Sequence, residues 1–159
     1  MSILRAMSTP QSTARSTAQR LEEIIGAFRT APKSLRLQLL LEYTRKVPPL
    51  PPELDCHREA MEQVHECQTP FFVLSEVDEE GRVALHFDAP QEAPTMRGFA
   101  GILAEGLSGA SAQEVLEVPD DFYTRMGLAE IISSQRLRGM AAIMQRVKRQ
   151  IGERTATSI

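Results

Sequence analysis

The sequence predicts an α+β domain, a small antiparallel β-sheet flanked by helices, and three observations carry that expectation. Residues 71–77 alternate as a strand does, with Phe71, Val73, Ser75 and Val77 on one face and Phe72, Leu74 and Glu76 on the other. The turn-forming run Asp78-Glu79-Glu80-Gly81 follows, and residues 82–87 return as a second strand with Val83, Leu85 and Phe87 facing one way. On both sides of this hairpin apolar residues recur instead at helical spacing: Leu21, Ile24, Ile25 and Phe28 before it, Leu137, Met140, Ile143, Met144, Val147 and Ile151 after it.

At 159 residues the chain is expected to form one domain over residues 20–152, between an N-terminal tail (1–19) and a C-terminal tail (153–159). A chain of this size buries about two thirds of its unfolded surface, enough for a core without staples. A net charge of −3 offers no basic field for nucleic acid, and no apolar run is long enough to span a membrane. Two cysteines, Cys56 and Cys67, are too few for a disulfide framework, although a single bridge between them is an alternative. Such sparing use suggests a reducing compartment, hence the cytoplasm.

Residues 1–19 are rich in Ser, Thr, Ala and Arg and contain no acid, a composition shared by transit peptides and disordered tails. The segment is short for a transit peptide and has little apolar periodicity, which favours a tail. A helix is expected from Arg20 until Pro32 breaks it. A second is expected from Ser34, with Leu37, Leu40, Leu41 and Thr44 inward and Arg36, Glu42, Arg45 and Lys46 solvated. Val47-Pro48-Pro49-Leu50-Pro51-Pro52 forbids regular hydrogen bonding and reads as an extended crossover within the domain. Residues 55–64 are polar and suit a short helix or loop.

After the hairpin, which Asp88-Ala89-Pro90 closes, a third long helix is expected from Pro94 to Leu107. Phe99, Ile102, Leu103 and Leu107 form its inner face, and Gly98, Gly101 and Gly106 permit close backbone packing. Ser111-Ala112-Gln113-Glu114 is a capping box opening a short helix through Leu116. Pro119 ends it, and residues 120–126 add a further turn or two before Gly127. The last helix is the longest, with Arg138, Gln145, Arg146, Lys148 and Arg149 on a solvated basic face.

The motifs of dinucleotide, P-loop, zinc-protease and serine-hydrolase sites are missing. Cys56, His57, His65 and Cys67 hold donor types that zinc accepts, but their spacing is not that of a structural knuckle, and adjacent Cys56 and His57 point apart in helix or strand. No metal site is therefore expected. Cys67 stands apart from the other candidates. It lies on the loop that runs through Pro70 into the most apolar strand, held by a rigid element yet outside it, where a reacting partner has an approach path. His65 is close enough in sequence to help deprotonate it, whereas Glu66 beside it raises a thiol pKa. A buried inert thiol is the alternative.

Over roughly residues 20–151 the chain resembles the SufE proteins. Members carry a helical N-terminal half, a Pro-containing connection and a Gly-Cys-Gln-Ser signature opening a strand; here that signature reads Glu66-Cys67-Gln68-Thr69, followed by Pro70-Phe71-Phe72-Val73. The family's Lys-Gly opening a helix is matched by Arg97-Gly98, and its Ser-Arg-Ser-x-Gly-Leu by Gln135-Arg136-Leu137-Arg138-Gly139-Met140. Glu66 replaces a common Gly, Phe72 a frequent Trp, and Gln135 and Leu137 the flanking serines. Cys56 matches nothing in the pattern.

The resemblance implies a SufE/IscU-like fold and a sulfur carrier that is not an independent enzyme. Cys67 would take sulfur as a transient persulfide from a SufS-like cysteine desulfurase and pass it to a SufBCD-like cluster scaffold. It also implies partner contacts at Glu66, Arg97 and Arg136. The pyridoxal phosphate of the reaction would belong to the desulfurase, so this chain is expected to bind no cofactor, nucleic acid or membrane. The competing expectation is a metal or iron–sulfur cluster scaffold, which needs about three convergent cysteines where this chain has two.

Overall fold

Ser16 opens the first helix in the computed structural model, which describes residues 16–157. Its hydroxyl accepts from Gln19 N while the Gln19 side chain accepts from Ser16 N. This reciprocal cap starts α1 (Thr17–Thr30) at Thr17, ahead of the Arg20 that periodicity predicts. Thr17 is buried and its hydroxyl donates to Glu114, so residues 17–19 belong to the fold. The tail expected at the N-terminus otherwise falls on residues 1–15, and the end of the C-terminal one on 158–159; both lie outside the described residues.

Helix α2 (Lys33–Glu42) departs from its expected orientation. Leu40 is buried as expected, but Leu37 is 42% exposed, and Arg36 turns inward. The Arg36 guanidinium donates to Phe28 O and Gly127 O and pairs with Glu130 at 3.0 Å, which fixes the helix by polar contacts that periodicity does not register. A 3₁₀ turn, Tyr43–Lys46, follows, and the Pro-rich crossover leads to the single turn of α3 (Pro52–Asp55) and a second 3₁₀ turn, Arg58–Ala60.

Residues 55–64, expected as helix or loop, also supply a third strand. β1 (Glu62–Gln63) pairs antiparallel with β2 (Phe72–Val77), which pairs in turn with β3 (Val83–Asp88). The sheet order is β1-β2-β3. Register places Val73 opposite Phe87 and Ser75 opposite Leu85, so the expected inner faces of the two long strands meet. The outer face is covered too: Phe72 and Leu74 pack with Leu50 of the crossover, Leu54 of α3 and Met61 just ahead of β1. The crossover thus acts as a lid on the second side of the sheet.

The main core lies between the inner sheet face, α1, α4 (Pro94–Leu107), α5 (Ala112–Glu117) and α6 (Ser134–Thr157). Phe28, Phe71, Phe99 and Phe122 are fully buried there, each worth about 1.5–3 kcal/mol of apolar transfer. α4 and the Ser111 capping box fall where the sequence places them, whereas α6 runs on past residue 152 to Thr157. α6 crosses β2, and buried Gln150 accepts from Ser75 N at 2.7 Å. β1 is too short to reach that N–H, so the helix satisfies an edge the sheet leaves open. No helix among the described residues is long and apolar enough to cross a membrane.

Candidate functional site

The loop between β1 and β2 is pinched at its base. Val64 N donates to Phe71 O at 2.8 Å, and Cys67 N donates back to Val64 O at 3.1 Å. The second bond curls the chain so that Cys67 points inward while its neighbours do not. His65, Glu66, Gln68 and Pro70 are exposed, and Cys67 retains 7% of its exposure. The thiol belongs to the main hydrophobic cluster, as does Met96 in the first turn of α4.

Gly139, in α6, makes the seat for this thiol. A Cβ placed on it would stand 3.2 Å from Cys67 Sγ and 3.1 Å from Met96 Cε, tighter than side chains normally pack. The loop therefore closes onto bare helix backbone. Gly139→Ala is expected to push the loop outward and raise the alkylation rate of Cys67 about tenfold, as a modest overpacking cost falls on the closed position alone. Global stability changes little, because the helix gains up to about 1 kcal/mol from alanine. The check is a time course by peptide mass beside a denaturant titration; an unchanged alkylation rate would show that the loop yields without opening.

Burial is the main influence on the thiol, pushing its pKa up to about 11, and the Glu66 carboxylate pushes the same way. The Arg146 guanidinium opposes both. At neutral pH the inward thiol is thus protonated and a poor nucleophile. His65, considered above as a helper base, is exposed and is not among the groups that act on the thiol.

Sequence reasoning assigned Arg146 to a solvated face and so missed it. Its side chain is 18% exposed, with Nη1 3.0 Å from Glu66 Oε1 and Nε 3.2 Å from Glu62 Oε2. Nothing local could have shown this, since both acids lie far upstream, on β1 and on the Cys67 loop.

The other candidates are dispersed. Arg136 is exposed near the start of α6, one turn before Gly139, and so emerges beside the thiol's seat. Arg97 donates to Ala89 O at 2.5 Å and lines a shallow cavity with Thr44, Arg45, Gln91 and Pro94, to which neither Cys67 nor Glu66 contributes. Cys56 is an exposed free thiol, Cys67 a buried free one, and no disulfide joins them. His57 pairs with Glu59 at 3.0 Å. Among the described residues no three His, Cys, Asp or Glu side chains converge as metal ligands.

Comparison with known proteins bears on this arrangement. The SufE family model, described as an Fe-S metabolism associated domain, matches residues 22–151. A Mycobacterium tuberculosis protein named an uncharacterized SufE-like protein is 48% identical over 133 residues, covering 84% of this chain and 92% of the relative. A Plasmodium vivax protein named cysteine desulfuration protein SufE is 30% identical over 105 residues, covering 65% of this chain and 40% of its own length. Among solved structures, that of a hypothetical protein from Thermus thermophilus shares 47% identity and superposes with a TM-score of 0.76, covering 86% of this chain and 96% of the other.

Proposed function

The chain belongs to the SufE family, and on that premise we propose that Cys67 is a sulfur acceptor serving iron–sulfur cluster assembly. The donor in this reading is a SufS-like cysteine desulfurase, whose pyridoxal phosphate removes sulfur from free cysteine and leaves a persulfide on the enzyme. The Cys67 thiolate attacks the outer sulfur of that persulfide. A sulfur–sulfur bond forms at Cys67, the donor's sulfur–sulfur bond breaks, and the donor leaves as its thiolate with the electron pair. Nothing is oxidised or reduced overall. This is thiol–disulfide exchange in chemical type, governed by the nucleophile, the leaving thiol and access. The loaded chain then passes the sulfur to a SufBCD-like scaffold in the cytoplasm.

The observation that carries this reading is the position of Cys67, the signature cysteine, on a loop pinched at its base and seated against Gly139 and Met96. In the inward position the thiol is protonated and shielded; outward, it regains an ordinary thiol pKa and meets the donor. A desulfurase that binds the outward loop shifts the equilibrium by its differential affinity for that state. Glu66 on the loop and Arg136, one helical turn before Gly139, are both exposed and form the proposed docking edge, with Arg97 as a more remote contact.

The test is stimulation. Substoichiometric amounts of this chain, added with a reductant to a cysteine desulfurase and free cysteine, are expected to raise alanine release severalfold. No stimulation by any desulfurase of the SufS type would contradict the reading.

A further inference from the structure

We propose that Arg146 is a positioning residue that latches the Cys67 loop in its inward position through Glu66. The proposal rests on the reading of Cys67 as the acceptor and concerns what holds that residue back.

Arg146 is itself held from the sheet side. Ser75 N donates to Gln150 Oε1 at 2.7 Å, and Gln150 Nε2 donates to Glu62 Oε1 at 2.9 Å. Glu62 Oε2 then lies 3.2 Å from Arg146 Nε, an ion pair that lacks hydrogen-bond geometry, while Arg149 also pairs with Glu62. This chain of contacts places the guanidinium against β1, β2 and α6, all outside the loop. Its remaining arm, Nη1, also faces Ala142 O at 3.4 Å and stands 3.0 Å from Glu66 Oε1. Glu66 lies within the pinched loop, immediately before Cys67. The ion pair therefore joins the framework to the segment that carries Cys67, and in the proposed release it breaks as the loop swings outward.

Glu66 is 47% exposed by side chain, and a partner can reach it to compete for its carboxylate. An arginine or lysine on the docking protein would release the loop by taking Glu66 from Arg146.

Arg146→Gln separates this role from simple electrostatics, because the two predict opposite signs. As a charge beside the thiol, Arg146 favours the thiolate, so its loss slows alkylation. As a latch it holds the loop shut, so its loss speeds alkylation, by about threefold to tenfold for a partly covered ion pair in a network. The experiment follows Cys67 by peptide mass during iodoacetamide treatment of the full chain, in wild type, Glu66→Gln and Arg146→Gln, at low and high salt. Both variants are expected to react faster than wild type, and added salt to speed wild type but neither variant. A slower or equal rate for Arg146→Gln overturns the latch. Sulfur loading from a desulfurase is measured on the same samples. Wild type that loads sulfur while Arg146→Gln alkylates no faster loses the latch alone; wild type that never loads sulfur, with faster alkylation in both variants, loses the acceptor reading and retains the latch.

Discussion

Cys67→Ser is expected to abolish both sulfur acceptance and stimulation of the desulfurase, and Cys56→Ser to leave both within about twofold of wild type. A serine hydroxyl cannot attack a persulfide at neutral pH or hold the transferred sulfur, so the loss is complete, as expected when the nucleophile itself is removed. The fold is expected to survive, since serine is close in size to cysteine and Cys67 makes its one backbone bond, to Val64 O, through its amide. Burying the hydroxyl beside Met96 costs about 1–3 kcal/mol at most, and the pinned loop can turn outward to relieve it. Cys56 is exposed, lies at the end of α3 and is outside the signature, so its thiol has no part in the transfer. Paired desulfurase assays with the two variants are the check. Equal losses from both would point to a shared site in place of a single acceptor.

Gly101→Ala is expected to destabilise the fold by about 3 kcal/mol or more, the upper part of the range for overpacking. A Cβ at Gly101 runs into the carbonyl oxygen of Tyr43, a backbone atom of the 3₁₀ turn after α2. That turn cannot give way easily, because α4 also packs closely one turn earlier, where a Cβ on Gly98 would stand 2.5 Å from Leu40 O. Alanine's better helix propensity offsets only about 1 kcal/mol. Gly26→Ala is the contrast: nothing lies within 4 Å of its added carbon, and the same substitution in α1 is expected to stabilise by about 0.5–1 kcal/mol. Urea unfolding of both variants reads the sign difference directly. Equal effects would show that α4 does not depend on backbone contact with the turn.

These glycines mark how far the sequence could be read. The α4 span, its close-packing glycines, the Ser111 cap and the β2–β3 hairpin all follow from local signals, and the structure places them as expected. α2 could not be oriented in the same way. Leucines at 35, 37, 39, 40 and 41 surround it, so the expected face of Leu37, Leu40, Leu41 and Thr44 rests on weak spacing, and Arg36 reaching Gly127 and Glu130 turns the helix otherwise. β1 is two residues long, too short to alternate, and exists because it pairs with β2. At the site, the place of Cys67 on a loop just before β2 was legible from the sequence. Gly139 was visible as a matched residue but without a role, since its contact with Cys67 Sγ joins two distant segments. Arg146 was invisible for the same reason: a basic residue on an amphipathic helix reads as solvated until tertiary structure supplies its acids.

The most direct measurement is the intact mass of the chain after incubation with a cysteine desulfurase and free cysteine, quenched without reductant and mapped by peptide. A gain of one sulfur atom, located on Cys67, absent from Cys56, and removed by a thiol reductant, is the predicted result. A chain whose mass is unchanged while the desulfurase turns over, or whose added sulfur sits on Cys56, would contradict the assignment of Cys67 as the acceptor.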